Sequence, residues 1–272
     1  MFIRWAGALS SAAMWAIGAA AATADPAPTQ TVTIYAAGSL KTFVASLAEE
    51  KSPLAGLNFK PTFAAAGLLR AKIEAGAKVD LFLSADMNSP RKLAAEGQAF
   101  LPPVAFARNR MCFYAPRRFG VTADNLVARL LLASLRIRAS APGADPSGDY
   151  AVAIFDRLDR LHPGTGKILR DKADVLRTAL KGDPPGAFAA EFKANRIDAM
   201  IAYCSADAAL EKDVPDLEAT PFPTALDPAP VFGLVVLTDR PAALKTALFV
   251  LSEPGQALLR RAGLIPLLAP NP

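Results

Sequence analysis

The sequence predicts an α/β fold, with mostly parallel sheets and helices packed on their faces. Short runs of β-branched and apolar residues alternate with segments of helical periodicity along nearly the whole chain. The spacing between a strand and the next helix is short, as in crossover units that lay strands side by side in parallel. The helical segments each carry one apolar face, as Leu40, Phe43, Val44 and Leu47 do at positions i, i+3, i+4 and i+7.

The first strand covers Val32–Ala36, where β-branched and aromatic residues end in small ones that let the chain turn. Gly38 permits a tight backbone, and Ser39 stands at an N-cap position before the first helix. Leu57–Phe63 forms a second strand, and Ala64-Ala65-Ala66-Gly67 leads into a helix ending near Gly76. A third strand, Val79–Ser84, precedes a helix from Pro90 to Ala95 that stops at Gly97. Met111–Ala115 is a strand closed by Pro116, Leu126–Leu135 is helical, and Leu135–Ala139 is strand-like. Pro146-Ser147-Gly148-Asp149 opens a long helix with Tyr150, Ile154, Phe155 and Leu158 on one face and Asp156, Arg157, Asp159 and Arg160 opposite. Lys167–Leu180 and Ala187–Asn195 are helical on either side of a loop at 182–186. Ala199–Tyr203 is a strand, and Cys204-Ser205-Ala206-Asp207 starts another helix. The proline-rich Pro221–Pro230 is an extended connector, Phe232–Leu237 a strand, and Ala242–Leu251 and Glu253–Ala262 the closing helices.

Residues 1–24 stand apart from this pattern. Arg4, a long apolar run and Ala22-Thr23-Ala24 ahead of Asp25 read as the three regions of a cleaved secretory signal peptide. No later segment offers the ~18 apolar residues of a membrane span. The mature product is therefore expected to be soluble, exported and periplasmic. The 30 basic and 25 acidic residues are interspersed, which argues against a nucleic-acid partner, while the net charge of +5 would help collect a small anion. The two cysteines, Cys112 and Cys204, are far apart, and in an exported chain they permit either one disulfide or two buried thiols. With the single histidine, His162, in a Pro-Gly turn, they do not build a typical zinc site, and no cation-ligand set is expected.

The chain contains no Gly-x-Gly-x-x-Gly, no Gly-x-x-x-x-Gly-Lys, no Gly-x-Ser-x-Gly and no His-Glu-x-x-His. Neither Ser39 nor Cys204 has a visible partner base, so catalysis is not expected. What recurs is a strand, then small residues, then a helix N-terminus: at Ser39, at Ala66-Gly67, at Ser147-Gly148 and at Tyr203–Ser205. Free backbone N–H groups, a hydroxyl and the positive end of the helix dipole make each of these a station for an anion. The competing reading of Ser39 is an ordinary capped helix.

Six segments, in this order and spacing, resemble the periplasmic molybdate-binding proteins of ABC importers: Tyr35-Ala-Ala-Gly-Ser-Leu40, Phe63-Ala-Ala-Ala-Gly-Leu-Leu69, Val79-Asp-Leu-Phe-Leu-Ser-Ala-Asp86, Pro146-Ser-Gly-Asp-Tyr150, Ile201-Ala-Tyr-Cys-Ser205 and Glu253-Pro-Gly-Gln-Ala257. The resemblance covers nearly all of the mature chain. It implies a type II periplasmic binding protein with two α/β lobes and a hinge, one lobe formed by 30–109 plus 229–272 and the other by 110–228. It implies a monomer that closes on a tetrahedral oxyanion, molybdate or tungstate, and passes it to a membrane permease, with no cofactor. The ligand donors it implies are the Ser39 hydroxyl, the backbone at Ser147, the Tyr203 hydroxyl, and a further backbone N–H at Val175 or in Pro184-Pro185-Gly186.

Two departures stand out. Ala66 occupies the position where the family has a second serine, which leaves the N–H groups of Ala66 and Gly67 but removes a hydroxyl. Asp145 and Asp149 flank Ser147. Facing the cleft, they would repel a dianion and suit a protonated or hydroxyl-bearing ligand; turned inward, they would serve the first turn of their own helix. Other readings keep the fold and change the cargo to another small anion, a polar solute or a metal chelate, or make the protein a ligand-sensing adaptor without a transporter.

Overall fold

A computed structural model of the chain describes residues 29–50, 53–172 and 187–267. Residues 1–24, read from the sequence as a signal peptide, Val175 and residues 182–186 lie outside the described residues. Two sheets organise the molecule. The first has the strand order β10-β4-β9-β3-β1-β2, with β1 at Gln30–Ala37, β2 at Leu57–Ala64, β3 at Leu81–Ser84, β4 at Val104–Arg108, β9 at Val231–Val236 and β10 at Ile265–Pro266. The second has the order β6-β7-β5-β8, with β5 at Met111–Pro116, β6 at Ile137–Arg138, β7 at Ala199–Tyr203 and β8 at Leu217–Pro221.

Helices α1 (Lys41–Glu49), α2 (Ala66–Glu74), α3 (Asn88–Ala95), α9 (Pro241–Leu251) and α10 (Glu253–Arg261) accompany the first sheet. Helices α4 (Leu126–Leu131), α5 (Pro146–Leu161), α6 (Thr165–Lys172), α7 (Ala187–Lys193) and α8 (Asp207–Asp213) accompany the second. None of the described helices is long and apolar enough to cross a membrane.

The α/β expectation holds, but the sheets are mixed rather than mostly parallel. β1 pairs in parallel with β2 and β3, and β6 with β7, whereas β3–β9, β4–β9, β4–β10, β5–β7 and β5–β8 are antiparallel. The cause is how the chain crosses between sheets. β4 hands it to β5 through Asn109 and Arg110 alone, and β9 returns from β8 by the proline-rich connector rather than through a covering helix. These strands escape the helix crossover that enforces parallel order. β4, β8 and β10 carried no clear strand signal: β10 has two residues, and β8 buries Leu217 and Thr220 without strict alternation and ends in Pro221. α4 stops at Leu131, short of the expected Leu135, because Leu132 turns to an extended backbone.

The apolar faces read from periodicity are the buried ones. Leu40, Phe43, Val44 and Leu47 are each at most 1% exposed, as are Ile154, Phe155 and Leu158 of α5. Burial of each such side chain stabilises the fold by roughly 1.5–3 kcal/mol. Phe43, Phe106 and Phe232 stack along the core of the first sheet, and Tyr203 from the second sheet packs edge-on against Phe232 at 5.2 Å. Cys112 and Cys204 form a disulfide that ties β5 to the residue following β7, which settles the alternative the sequence left open. The two crossovers are also tied to each other. The Asp227 carboxylate accepts from the N–H groups of Met111 and Ala229 and from Arg110, while the Arg157 guanidinium donates to the Asp227 carbonyl.

Candidate functional site

Because β1, β2 and β3 are parallel, their C-terminal ends lie along one edge of the first sheet. Ser39 follows β1, Ala66 and Gly67 follow β2, and Ala85 and Asp86 follow β3, so two of the sequence stations share that edge with the turn after β3. Crevices outside the carboxyl ends of strands are where open α/β sheets bind ligands. Two elements attached to the second sheet meet this edge. The loop before α5 brings the Ala144 carbonyl to the Gly67 N–H at 3.0 Å, and β7 ends in Tyr203, whose hydroxyl donates to the Ala85 carbonyl at 3.3 Å.

Ser39 is not a helix cap. It lies inside a single tight turn, Gly38–Leu40, whose cap position is Ala37, and no side chain caps it. The helical turn begins directly at the end of β1, which places Ser39 two residues past the cap position. Its Oγ is buried without a hydrogen-bond partner, and the same is true of Ser147 Oγ at the start of α5. Among the described side chains, only Arg70 Nε shares that condition. A buried hydroxyl with no partner costs about 1–3 kcal/mol, so folded chains rarely keep one without a use for it. Here the two serines singled out from sequence are both in that state.

The backbone donors need revision. The Gly67 N–H is taken up by Ala144, and the Ser147 N–H donates to Asp145 Oδ1 at 3.0 Å, so neither is free in this arrangement. The reason is local in each case: Asp145 is the N-cap of α5, and the loop of the second sheet seats directly on the α2 terminus. Ala66 is fully buried and is the first residue of α2, where an N–H has no carbonyl of its own helix to bond. Ser39 and Leu40 lie in the opening turn of their helix, in the same condition. At Ser147 it is therefore the hydroxyl, not the N–H, that is left without a partner.

Acidic groups surround these donors. Asp86 is buried and already satisfied, accepting from the Ser84 hydroxyl and from the N–H and hydroxyl of Ser89. Asp145 serves the first turn of its own helix, as the inward-turned reading has it, whereas Asp149 Oδ1 accepts from the Gly143 N–H of the preceding loop at 2.8 Å rather than from its own helix. Partial withdrawal from water, then the charge of Asp86, hold the Asp149 carboxyl above its usual range against the pull of the Gly143 N–H. Burial, followed by Asp86, pushes Tyr150 up to about 12, and burial with the charges of Asp145, Asp86 and Asp149 drives Tyr203 well above its ordinary value. Both phenols are neutral at any physiological pH. The assembly is thus a set of neutral hydroxyl and N–H donors within a negative field. It can hold a small polar anion by hydrogen bonds and disfavours any excess of negative charge.

Of the residues the sequence pointed to, Ser39, Ala66 and Gly67 lie at the ends of β1 and β2, the loop before Ser147 bonds Gly67, Tyr203 reaches the turn after β3, and Val175 lies outside the described residues. The sequence did not point to the carbonyls of Ala85 and Ala144, which carry no side-chain signal, or to Asp86. For Asp86 a signal existed: an aspartate three residues before Ser89 is a helix-start pattern.

Residues 32–265 match the family of bacterial extracellular solute-binding proteins, and the chain belongs to that family. An uncharacterized protein of Pasteurella multocida (strain Pm70) is 33% identical over 242 residues, covering 86% of this chain and 98% of that protein. Among solved structures, the periplasmic molybdate-binding protein of Azotobacter vinelandii is similar with a TM-score of 0.68 and 20% identity, over 88% of this chain and all of that one. The sulfate-binding protein SubI of Mycobacterium tuberculosis is similar with a TM-score of 0.71 and 15% identity, over 88% of this chain and 87% of that one. At these identities the likeness defines the fold, that of a two-lobed binding protein.

Proposed function

We propose that this protein captures a small tetrahedral oxyanion, molybdate or tungstate first, between two lobes and delivers it in the periplasm to the membrane permease of an ABC importer. The observation that carries this reading is the pair of buried, unpartnered hydroxyls of Ser39 and Ser147, one from each side of the crevice. The lobes are 30–109 plus 229–272 and 110–228, a division supported by which strands enter each sheet. Ser39 and Ser147 donate from the two sides, the N–H of Ala66 adds a backbone donor, and Tyr203 exchanges its bond to Ala85 for one to the ligand. A further N–H, from Val175 or from the loop at Pro184-Pro185-Gly186, belongs to the same reading. The work is binding and closure, with no bond made or broken. Neutral donors fixed before the ligand arrives replace its water without adding a full charge, and cavity size then separates larger oxyanions from sulfate.

Isothermal titration of the folded, ligand-free protein with molybdate, tungstate, sulfate and phosphate is the test. Micromolar or tighter binding of the first two supports the reading, and no heat with any of the four overturns it. A second reading rests on Asp86 and Asp149. A site with Ala66 in place of a serine and two carboxylates nearby suits an anion that keeps a proton or carries hydroxyls, for which an acid is an acceptor. Binding of phosphate that strengthens as pH falls, with none of molybdate, would favour it.

A further inference from the structure

We infer that Gly67 sets how far the two lobes close, because it is the point where a loop of the second lobe seats on a helix of the first. The inference rests on the two-lobed binding reading above and adds a positioning residue to it. Gly67 lies in the ordinary right-handed turn that opens α2, so its own backbone does not require glycine. The requirement comes from across the crevice. A Cβ at this position would stand 2.7 Å from the carbonyl oxygens of both Gly143 and Ala144 and 3.1 Å from the Ala144 carbonyl carbon. Real Cβ atoms essentially never approach backbone oxygen that closely, so the loop must move away. The Gly67 N–H bond to Ala144 at 3.0 Å would lengthen with it.

That loop is itself fastened to α5, since the Gly143 N–H donates to Asp149 and Asp145 caps the helix through the Ser147 N–H. The loop and the Ser147 hydroxyl therefore move as one piece. Displacing the loop from Gly67 draws Ser147 away from Ser39 and stretches another contact made across the crevice, Tyr203 to Ala85. The contrast with Gly148 marks the role. A Cβ there would meet Ser140, Ala141 and Pro142, which belong to the loop immediately preceding its own helix, so Gly148 serves local packing. Gly67 alone of the two meets residues carried by the opposite sheet.

Gly67→Ala separates closure from folding by where its cost falls. The overlap lies at one contact between the lobes, so the variant's thermal midpoint should fall by no more than that contact is worth while unfolding stays cooperative. Its affinity for molybdate should fall by roughly tenfold or more, with faster dissociation, because overpacking at a fixed contact is relieved only by holding the lobes apart. Small-angle scattering with saturating molybdate should show the wild type contracting and the variant remaining larger. A variant with wild-type affinity and an equal radius overturns the inference, and so does one that loses cooperative unfolding, which would place Gly67 in the core of the fold. If the wild type binds none of the four oxyanions, the ligand reading fails separately. The inference is then judged on the ligand-free proteins, where a larger radius for Gly67→Ala supports it and equal radii overturn it.

Discussion

Ser39→Ala should weaken binding and stabilise the empty protein at the same time. In the ligand-free chain Ser39 Oγ is buried without a partner, a condition that costs about 1–3 kcal/mol. Alanine removes the hydroxyl and almost no apolar packing, since the Cβ remains. The unfolding free energy should rise by about 1 kcal/mol, or roughly 2–4 °C in midpoint for a chain of this size. With an oxyanion bound, the same hydroxyl donates to a charged acceptor, a bond worth about 1.5–3 kcal/mol. Its loss should raise the dissociation constant roughly 10- to 150-fold. The effect should sit at the upper end because Ala66 leaves the first lobe without a second serine at the neighbouring station. Calorimetric titration with molybdate gives the affinity, and scanning calorimetry without ligand gives the midpoint. Unchanged affinity together with a lower midpoint would mean that Ser39 has a structural partner and that the crevice is not the site.

The reverse change, Ala66→Ser, places a hydroxyl on a fully buried first helical residue at the same sheet edge. Titration should show molybdate affinity improved by up to roughly tenfold, with the empty protein slightly less stable for the reason given for Ser39. Cleaving the Cys112–Cys204 bridge opens a loop whose ends are 92 residues apart, which in the chain-entropy model removes about 4–5 kcal/mol of stability. Urea unfolding with and without reductant measures this, and equal midpoints would show that the bridge leaves the unfolded chain unconstrained. The raised carboxyl of Asp149 predicts a pH dependence. An acid with a higher pKa in the folded chain leaves the unfolded chain holding fewer protons, so its stabilising contribution is fully present at low pH. It is lost as pH rises from the ordinary aspartate range, about 4, through the raised folded value. Asp149→Asn keeps an acceptor for the Gly143 N–H, and its stability relative to wild type should climb across that window and then level off. The total should be below about 1 kcal/mol because the carboxyl remains in contact with water.

The parts of the molecule legible in the sequence are those in which one residue's own chemistry decides the outcome. The apolar stripe Leu40, Phe43, Val44, Leu47 could only be a buried helix face, and it is one. Strands rich in β-branched and aromatic residues, such as β1 and β9, announced themselves in the same way. β4 and β8 did not, because their place is set by the partner strands that flank them rather than by their own propensity. Strand direction was misjudged for the same reason: a crossover of two residues leaves no local mark of which way the next strand will run.

The candidate site divides along the same line. Serine and tyrosine side chains could be singled out as donors, but whether a backbone N–H stays free depends on what the fold places against it, whether the opposite sheet's loop or its own helix cap. Gly67 and Ser147 each looked like an anion-binding amide, and each amide is already bonded, one to Ala144 and one to Asp145. Among the described side chains at this edge, what remains unpartnered is the pair of serine hydroxyls, beside the opening N–H groups of Ser39, Leu40 and Ala66. This changes the physical character expected of the site. A pocket lined by helix-terminal amides recognises charge first, whereas one that relies on hydroxyls, each able to donate or accept, recognises the pattern of protons on its ligand. With Asp86 and Asp149 adding acceptors nearby, discrimination between a bare dianion and its protonated form should depend on Ser39 and Ser147 more than on any helix dipole. Removing both hydroxyls should therefore level the affinities for molybdate and phosphate rather than lower them in proportion. A double variant that still distinguishes the two as sharply as wild type would return the selectivity to the backbone.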